Sequence, residues 1–200
     1  MEATAMFVRC RKGQEIWSPD AVGDYWFSVR SGAARLCAVL PSGRRQILDL
    51  LLPNDFFVSI DKETGLLSLE AVVEGSLLAC YPRSQVEALA DRDPAIARNI
   101  RKMSLQTISR LHQQMLIIGQ STSTKKVGSF LLSMSERLDN RRTESIALPM
   151  TRYDIADYLA ISVETVSRAL TELKRRGAIA LDGTRNITIR DPEALEPGYE

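Results

Sequence analysis

Glu164, Ser167 and Arg168 place a carboxylate, a hydroxyl and a guanidinium within one turn of a helix. In a DNA major groove a carboxylate accepts from cytosine N4, and arginine donates two parallel bonds to guanine O6 and N7. One helix face carrying both groups suits a G·C pair and its neighbour. The same two charges at i and i+4 also describe a surface ion pair worth a few tenths of a kcal/mol. The surrounding elements decide between these readings.

Thr151 to Leu173 supplies such a frame. Thr151 can cap a first helix with Asp154 at its third position, and Ile155, Ala156 and Leu159 give that helix an apolar face. Leu159-Ala160-Ile161 is a tight connection, and Ser162 caps a second helix whose apolar stripe is Val166, Ala169, Leu170 and Leu173. Short strands are expected at 146–148, 178–181 and 186–189, the last two joined at Asp182-Gly183, a hairpin signal. Two short helices followed by a hairpin describe a winged helix-turn-helix. Within it, Glu164, Ser167 and Arg168 read as base contacts. Thr124, Lys126, Arg152, Ser162, Thr165 and the wing residue Arg185 read as phosphate contacts, each also compatible with an ordinary surface position. Lys174-Arg175-Arg176 reads equally as the favourable cationic end of the second helix.

Ahead of this unit, Asp93-Pro94 opens a helix with no breaker before Gly119, about 25 residues and roughly 38 Å long. Its apolar residues form more than one stripe, more than a single small barrel would bury. That predicts a homodimer helix with Ile100, Met103, Thr107, Leu111, Gln114 and Ile118 at the interface. The other reading is a long core helix of a monomer. Ser84 with Glu87 predicts a capping box opening a short helix before it. Residues 7–82 alternate apolar and polar positions between closely spaced turn signals such as Ser31-Gly32 and Pro53-Asn54-Asp55, which predicts an antiparallel barrel or sandwich.

Composition narrows the function. Net charge is +1, yet residues 122–190 hold 12 basic and 8 acidic side chains while residues 191–200 hold four acids. The basic excess therefore lies in the helix-turn-helix region. A single histidine, His112, argues against the His-rich metal sites of barrel enzymes, and no nucleophile–base constellation is apparent, so an enzyme is not expected. Cys10, Cys37 and Cys80 are far apart; with no secretory leader and no apolar run approaching ~20 residues, they predict free thiols in a cytoplasmic protein without a membrane span.

Together these features resemble the CRP/FNR family of bacterial transcription regulators, and Pro149 to Ala178 resembles its FixK-type branch. The resemblance rests on Lys12-Gly13-Gln14, Ser31-Gly32, Ser42-Gly43-Arg44-Arg45-Gln46-Ile47, Leu52-Pro53-Asn54-Asp55, Asp154-Ile-Ala-Asp-Tyr-Leu and Glu164-x-x-Ser167-Arg168, and it covers nearly the whole chain. It implies an α+β fold. A double-stranded β-helix (jelly-roll) sensor domain resembling cyclic-nucleotide-binding domains would span residues 1–93. A dimerisation helix would span 94–121, a winged helix-turn-helix 122–191 and a tail 192–200. It further implies a homodimer on palindromic double-stranded DNA with TTGA(T/C)-type half-sites, arginine reading G and glutamate the opposing C, with RNA polymerase as a further partner.

The sensor region departs from nucleotide-binding relatives. Phe56 to Val72 contains no arginine, and Glu70 lies near where a phosphate would need a cation, so cyclic AMP is not expected. Only Cys10 lies near the N-terminus, which leaves no four-cysteine iron–sulfur site, and His112 reads as a surface or interface residue rather than a haem ligand. Trp17, Trp26, Phe27, Phe56 and Phe57 read as barrel core. No cofactor is expected. Three modes of control stay open: a non-nucleotide effector, a redox-active cysteine, or no effector at all, as FixK-type relatives often show.

Overall fold

The computed structural model describes residues 5–59, 66–138 and 145–196. The chain separates into two compact units, residues 1–111 and 112–200.

Among the described residues of the first unit, eight strands form two antiparallel four-stranded sheets. They are β1 (Met6–Cys10), β2 (Glu15–Trp17), β3 (Tyr25–Ser31), β4 (Ala34–Val39), β5 (Arg45–Leu51), β6 (Phe56–Val58), β7 (Leu67–Ala71) and β8 (Ser76–Pro82). One sheet has the order β1-β8-β3-β6 and the other β2-β7-β4-β5. Period-two alternation turns one face of each sheet inward. Trp17, Phe27, Val29, Ala34, Leu51, Leu69 and Leu78 meet between the sheets in a jelly-roll core. Phe56 is also buried, and Trp26 stacks on it at 5.2 Å. The Pro53-Asn54-Asp55 turn is present before β6, with Asn54 in the left-handed region at φ 75°. Gly32 has φ +79°, and a Cβ there would lie 2.9 Å from Ser76 Cα, so the strands approach too closely for any side chain.

Helix α1 (Arg83–Arg92) follows β8, but the expected Ser84–Glu87 capping box does not form. The cap residue is Pro82, which has no side-chain donor or acceptor, and Glu87 pairs instead with Arg83 at 2.7 Å. Helix α2 (Pro94–Ile118) opens as expected, with Asp93 Oδ1 accepting from Ala95 N at 2.8 Å. Its Ile100 packs on Ala79, Tyr81 and Val86.

The second unit contains α3 (Ser123–Arg137), β9 (Ser145–Ala147), α4 (Arg152–Leu159), α5 (Val163–Arg175), β10 (Ile179–Asp182) and β11 (Asn186–Ile189). The strands form one antiparallel sheet, β10-β11-β9, so the predicted hairpin gains β9 as a third strand. α3 lies against α5, and its Phe130 ring stands 5.4 Å from that of Tyr158 on α4. A 3-10 turn at Glu193–Leu195 seats Leu195 against Gly128, where a Cβ would stand 3.1 Å from the Leu195 carbonyl oxygen. Residues 197–200 of the expected tail lie outside the described residues, as do 60–65 of the expected nucleotide-binding stretch. No helix among the described residues is long and apolar enough to cross a membrane.

Candidate DNA-binding face

The helix-turn-helix is fixed by its caps. Thr151 Oγ1 accepts from Asp154 N at 3.2 Å, and Asp154 Oδ2 accepts from Thr151 N at 2.9 Å, a reciprocal box that satisfies two otherwise orphaned donors. α4 ends at Ala160 in the left-handed region, φ 56°, which turns the chain tightly enough for Ser162 to begin α5 two residues later. Ser162 Oγ accepts from Thr165 N at 3.2 Å. Val166, Ala169, Leu170 and Leu173 then bury one stripe of α5, which holds the helix by its apolar side and leaves the opposite side outward.

Glu164 and Arg168 occupy that outward side and are exposed; Ser167 is half-buried beside them. Among the described residues Glu164 and Arg168 form no ion pair. Arg168 Nη2 donates instead to Thr165 Oγ1 at 3.3 Å, and that hydroxyl lies 3.0 Å from Ser162 Oγ. Hydrogen bonding from its own backbone N–H, then from Ser162, then the positive charge of Arg168, hold the Glu164 carboxyl below its ordinary range. It is an ionised acceptor at neutral pH. Ser167 Oγ accepts from Arg152 Nη1 at 3.4 Å, which ties the start of α4 to the middle of α5. Glu164, Ser167, Arg168, Arg152, Ser162 and Thr165 are therefore assembled on one face. Thr124 and Lys126 stand at the start of α3, and Arg185 in the β10–β11 turn.

Sequence reasoning passed over Tyr153, 69 % exposed in the first turn of α4 next to Arg152. A large aromatic left in water beside a helix N-terminus was the available signal. At the other end of α5, Glu172 pairs with both Arg175 and Arg176, at 2.9 and 2.6 Å, and its carboxyl falls to about 2. The Lys174-Arg175-Arg176 cluster is thereby partly neutralised within its own helix.

Comparison with known proteins places this geometry. A family model described as a Crp-like helix-turn-helix domain matches residues 125–197, and one described as a cyclic nucleotide-binding domain matches residues 7–93. The nitrogen fixation regulation protein FixK of Azorhizobium caulinodans is 37 % identical over 96 % of this chain and 77 % of its own. The chain belongs to the CRP/FNR family. The transcriptional activator FnrL of Cereibacter sphaeroides is 33 % identical over 88 % of this chain and 73 % of its own. The solved structure of FixK2 from Bradyrhizobium japonicum superposes with a TM-score of 0.84 at 35 % identity, covering 96 % of this chain and 95 % of that one. The relatives are transcription regulators, not enzymes, and the helix-turn-helix just described is this regulator's DNA-binding domain.

In the regulator's β-roll Arg35 and Glu70 face each other across β4 and β7. Arg35 Nε donates to Glu70 Oε2 at 2.9 Å, and Arg45 stands 3.8 Å from the same oxygen. A phosphate here would face a carboxylate that already holds the guanidinium. Cys10, Cys37 and Cys80 are all buried. Burial pushes the Cys10 thiol up, and burial with the neighbouring Cys10 pushes Cys80 up to about 11.

The residues named for the dimer interface separate in the structure. Ile100 packs on the β-roll, Gln114 is buried, and Met103, Thr107 and Ile118 are half-buried. Of the six, Leu111 alone is exposed, and it joins Leu105, Ile108, Met115 and Leu116 as large apolar side chains open to solvent along α2. Met115 and Leu116 are 69 % and 71 % exposed. His112 is exposed on the same stretch.

Proposed function

We propose that this regulator acts in the cytoplasm as a homodimer that reads a palindromic TTGA(T/C)-type site, without a cyclic nucleotide or an iron–sulfur cluster. The observation that carries the reading is the outward face of α5. Arg168 there is held by a hydroxyl rather than by an acid, and Glu164 is an ionised acceptor with no ion-pair contact to Arg168. Arg168 would donate to guanine O6 and N7, Glu164 would accept from the opposing cytosine N4, and Ser167 would contact an adjacent base. Arg152, Ser162, Thr165, Thr124, Lys126 and Arg185 would hold phosphates and set the register. Two such helices must meet successive major grooves about 34 Å apart, which requires a dimer.

The exposed apolar stripe Leu105, Ile108, Leu111, Met115 and Leu116 supports a helix-to-helix seam along α2. An apolar run of that kind is costly to leave in water. This stripe shares Leu111 with the six interface residues expected from the sequence. The Arg35–Glu70 pair supports a nucleotide-free β-roll, and the burial of all three thiols disfavours a cysteine switch. RNA polymerase is the further partner such a regulator would engage.

The test is a fluorescence anisotropy titration of a labelled TTGAT-N4-ATCAA duplex against a scrambled duplex over a range of salt concentrations. Binding of the palindrome well above the scrambled control, unchanged by added cyclic AMP, supports the reading. Equal affinity for both duplexes would overturn it.

A further inference from the structure

Helix α2 carries four Lys and Arg side chains and no Asp or Glu. Of the four, Arg110 alone meets acids among the described residues, Asp49 and Asp55. Arg98, Arg101 and Lys102 are exposed and make no ion pair or side-chain hydrogen bond within the described residues. With Leu105, Gln106 and Ser109 they line an open hollow of about 380 Å³ on the helix surface.

These cations continue the apolar seam. Arg98, Arg101, Leu105 and Ile108 follow one another at heptad spacings of three, four and three, with Lys102 on the flank. At about 100° per residue, Arg101 lies about 20° from the mean direction of Leu105, Ile108 and Leu111. In the dimer proposed above, on which this inference rests, both α2 C-termini lead into domains that must reach one duplex, so the helices pair in parallel. Each seam residue then meets its own copy. Helices packed at about 8–10 Å bring two Arg98 and two Arg101 guanidiniums together, and a second α2 brings no acid to neutralise them. Like charges so close oppose pairing. An oxyanion between them reverses the sign, because each guanidinium fork donates two parallel bonds to a phosphate-type anion. Chloride offers neither the multiple charge nor the paired oxygens. We infer that Arg98 and Arg101 of both protomers, flanked by Lys102, form a site for one multivalent phosphate-type anion, which closes the N-terminal half of the α2 seam and strengthens the dimer. Each protomer holds half of the site.

Sedimentation equilibrium of the full chain tests this, with ionic strength held constant by sodium chloride so that screening is equal in every sample. The probes are inorganic phosphate, tripolyphosphate and ATP. Tripolyphosphate should tighten the dimer about tenfold once its concentration is about ten times its own Kd, and phosphate should do so less. ATP, the same anion on a nucleoside, should do no better than tripolyphosphate; a stronger effect of ATP supports the site and makes a nucleotide its source. Arg101→Leu should dimerise more tightly than the parent without added anion and lose the response, because leucine extends the apolar seam and removes the repulsion. Arg101→Lys should keep the weak anion-free dimer and respond less, having the charge without the fork. Arg44→Gln, at an exposed arginine of the β-roll, should behave as the parent. Circular dichroism checks that each variant keeps its fold. The inference is overturned if the parent dimer ignores tripolyphosphate or if Arg101→Leu still responds. Weaker dimerisation of Arg101→Leu also overturns it, because Arg101 would then be pairing with an acid of the second copy. A parent that stays monomeric with and without the anion overturns the dimer reading itself, and this inference with it.

Discussion

Arg110 on α2 grips Asp49 on β5 side-on, Nε donating to Oδ1 at 2.9 Å and Nη2 to Oδ2 at 2.6 Å, while Nη1 reaches Asp55 Oδ1 at 2.9 Å. Both partners of the main pair are nearly buried, with side chains 10 % and 5 % exposed. This contact fixes the rotation of α2 on the β-roll. It turns Ile100 inward and leaves Leu105 and Ile108 outward.

Removing one partner strands a buried charge. Arg110→Met should lower unfolding free energy by about 3–5 kcal/mol, read by urea denaturation. Asp49→Leu combined with Arg110→Met should recover most of that loss, because the buried carboxylate leaves with its partner and only the more exposed Asp55 remains without the arginine. A single variant as stable as the parent would show that the pair contributes nothing.

Which parts were legible follows from the range of the interactions. The Thr151–Asp154 box, the Ser162 cap and the α5 stripe are set by residues within four positions of one another, so spacing alone exposes them. The α2 seam is not local. Helical periodicity allowed two stripes, and the choice between them rests on Arg110 meeting Asp49, 61 residues away. A signal existed: an acid among Ile47, Leu48, Leu50 and Leu51 on a strand needs a buried cation. The Ser84–Glu87 box failed because Arg83, one position earlier, competes for Glu87.

Base readout and phosphate binding separate by mutation. Arg168→Ala should cost roughly 1–3 kcal/mol on the palindrome and relax preference at one base pair, measured by competition with singly substituted duplexes. Arg152→Ala should weaken palindrome and scrambled DNA alike and reduce the salt slope by about one. An equal loss on both duplexes for Arg168→Ala would reassign it to the backbone.

A charge placed in the exposed α2 stripe should block dimerisation without unfolding the chain. Ile108→Glu is expected to sediment as a monomer with unchanged circular dichroism and to lose the palindrome while keeping weak non-specific binding. Ile100→Glu should instead destabilise the fold, since Ile100 packs on Ala79, Tyr81 and Val86. A dimeric Ile108→Glu protein would move the seam elsewhere on the molecule.

The buried thiols predict alkaline behaviour. Cys80 titrates near 9 when unfolded and is pushed up to about 11 when folded, so the folded state holds its proton more tightly. Its contribution to stability is intact below about pH 9 and declines as pH rises from 9 to 11, because only the unfolded chain ionises there. Melting temperature should therefore fall across that interval, and Cys80→Ala should flatten the fall. At pH 8 all three cysteines should react with a thiol reagent no faster than the protein unfolds. Rapid modification of Cys80 in the native protein would show that its strand opens locally, and would return a cysteine switch to consideration.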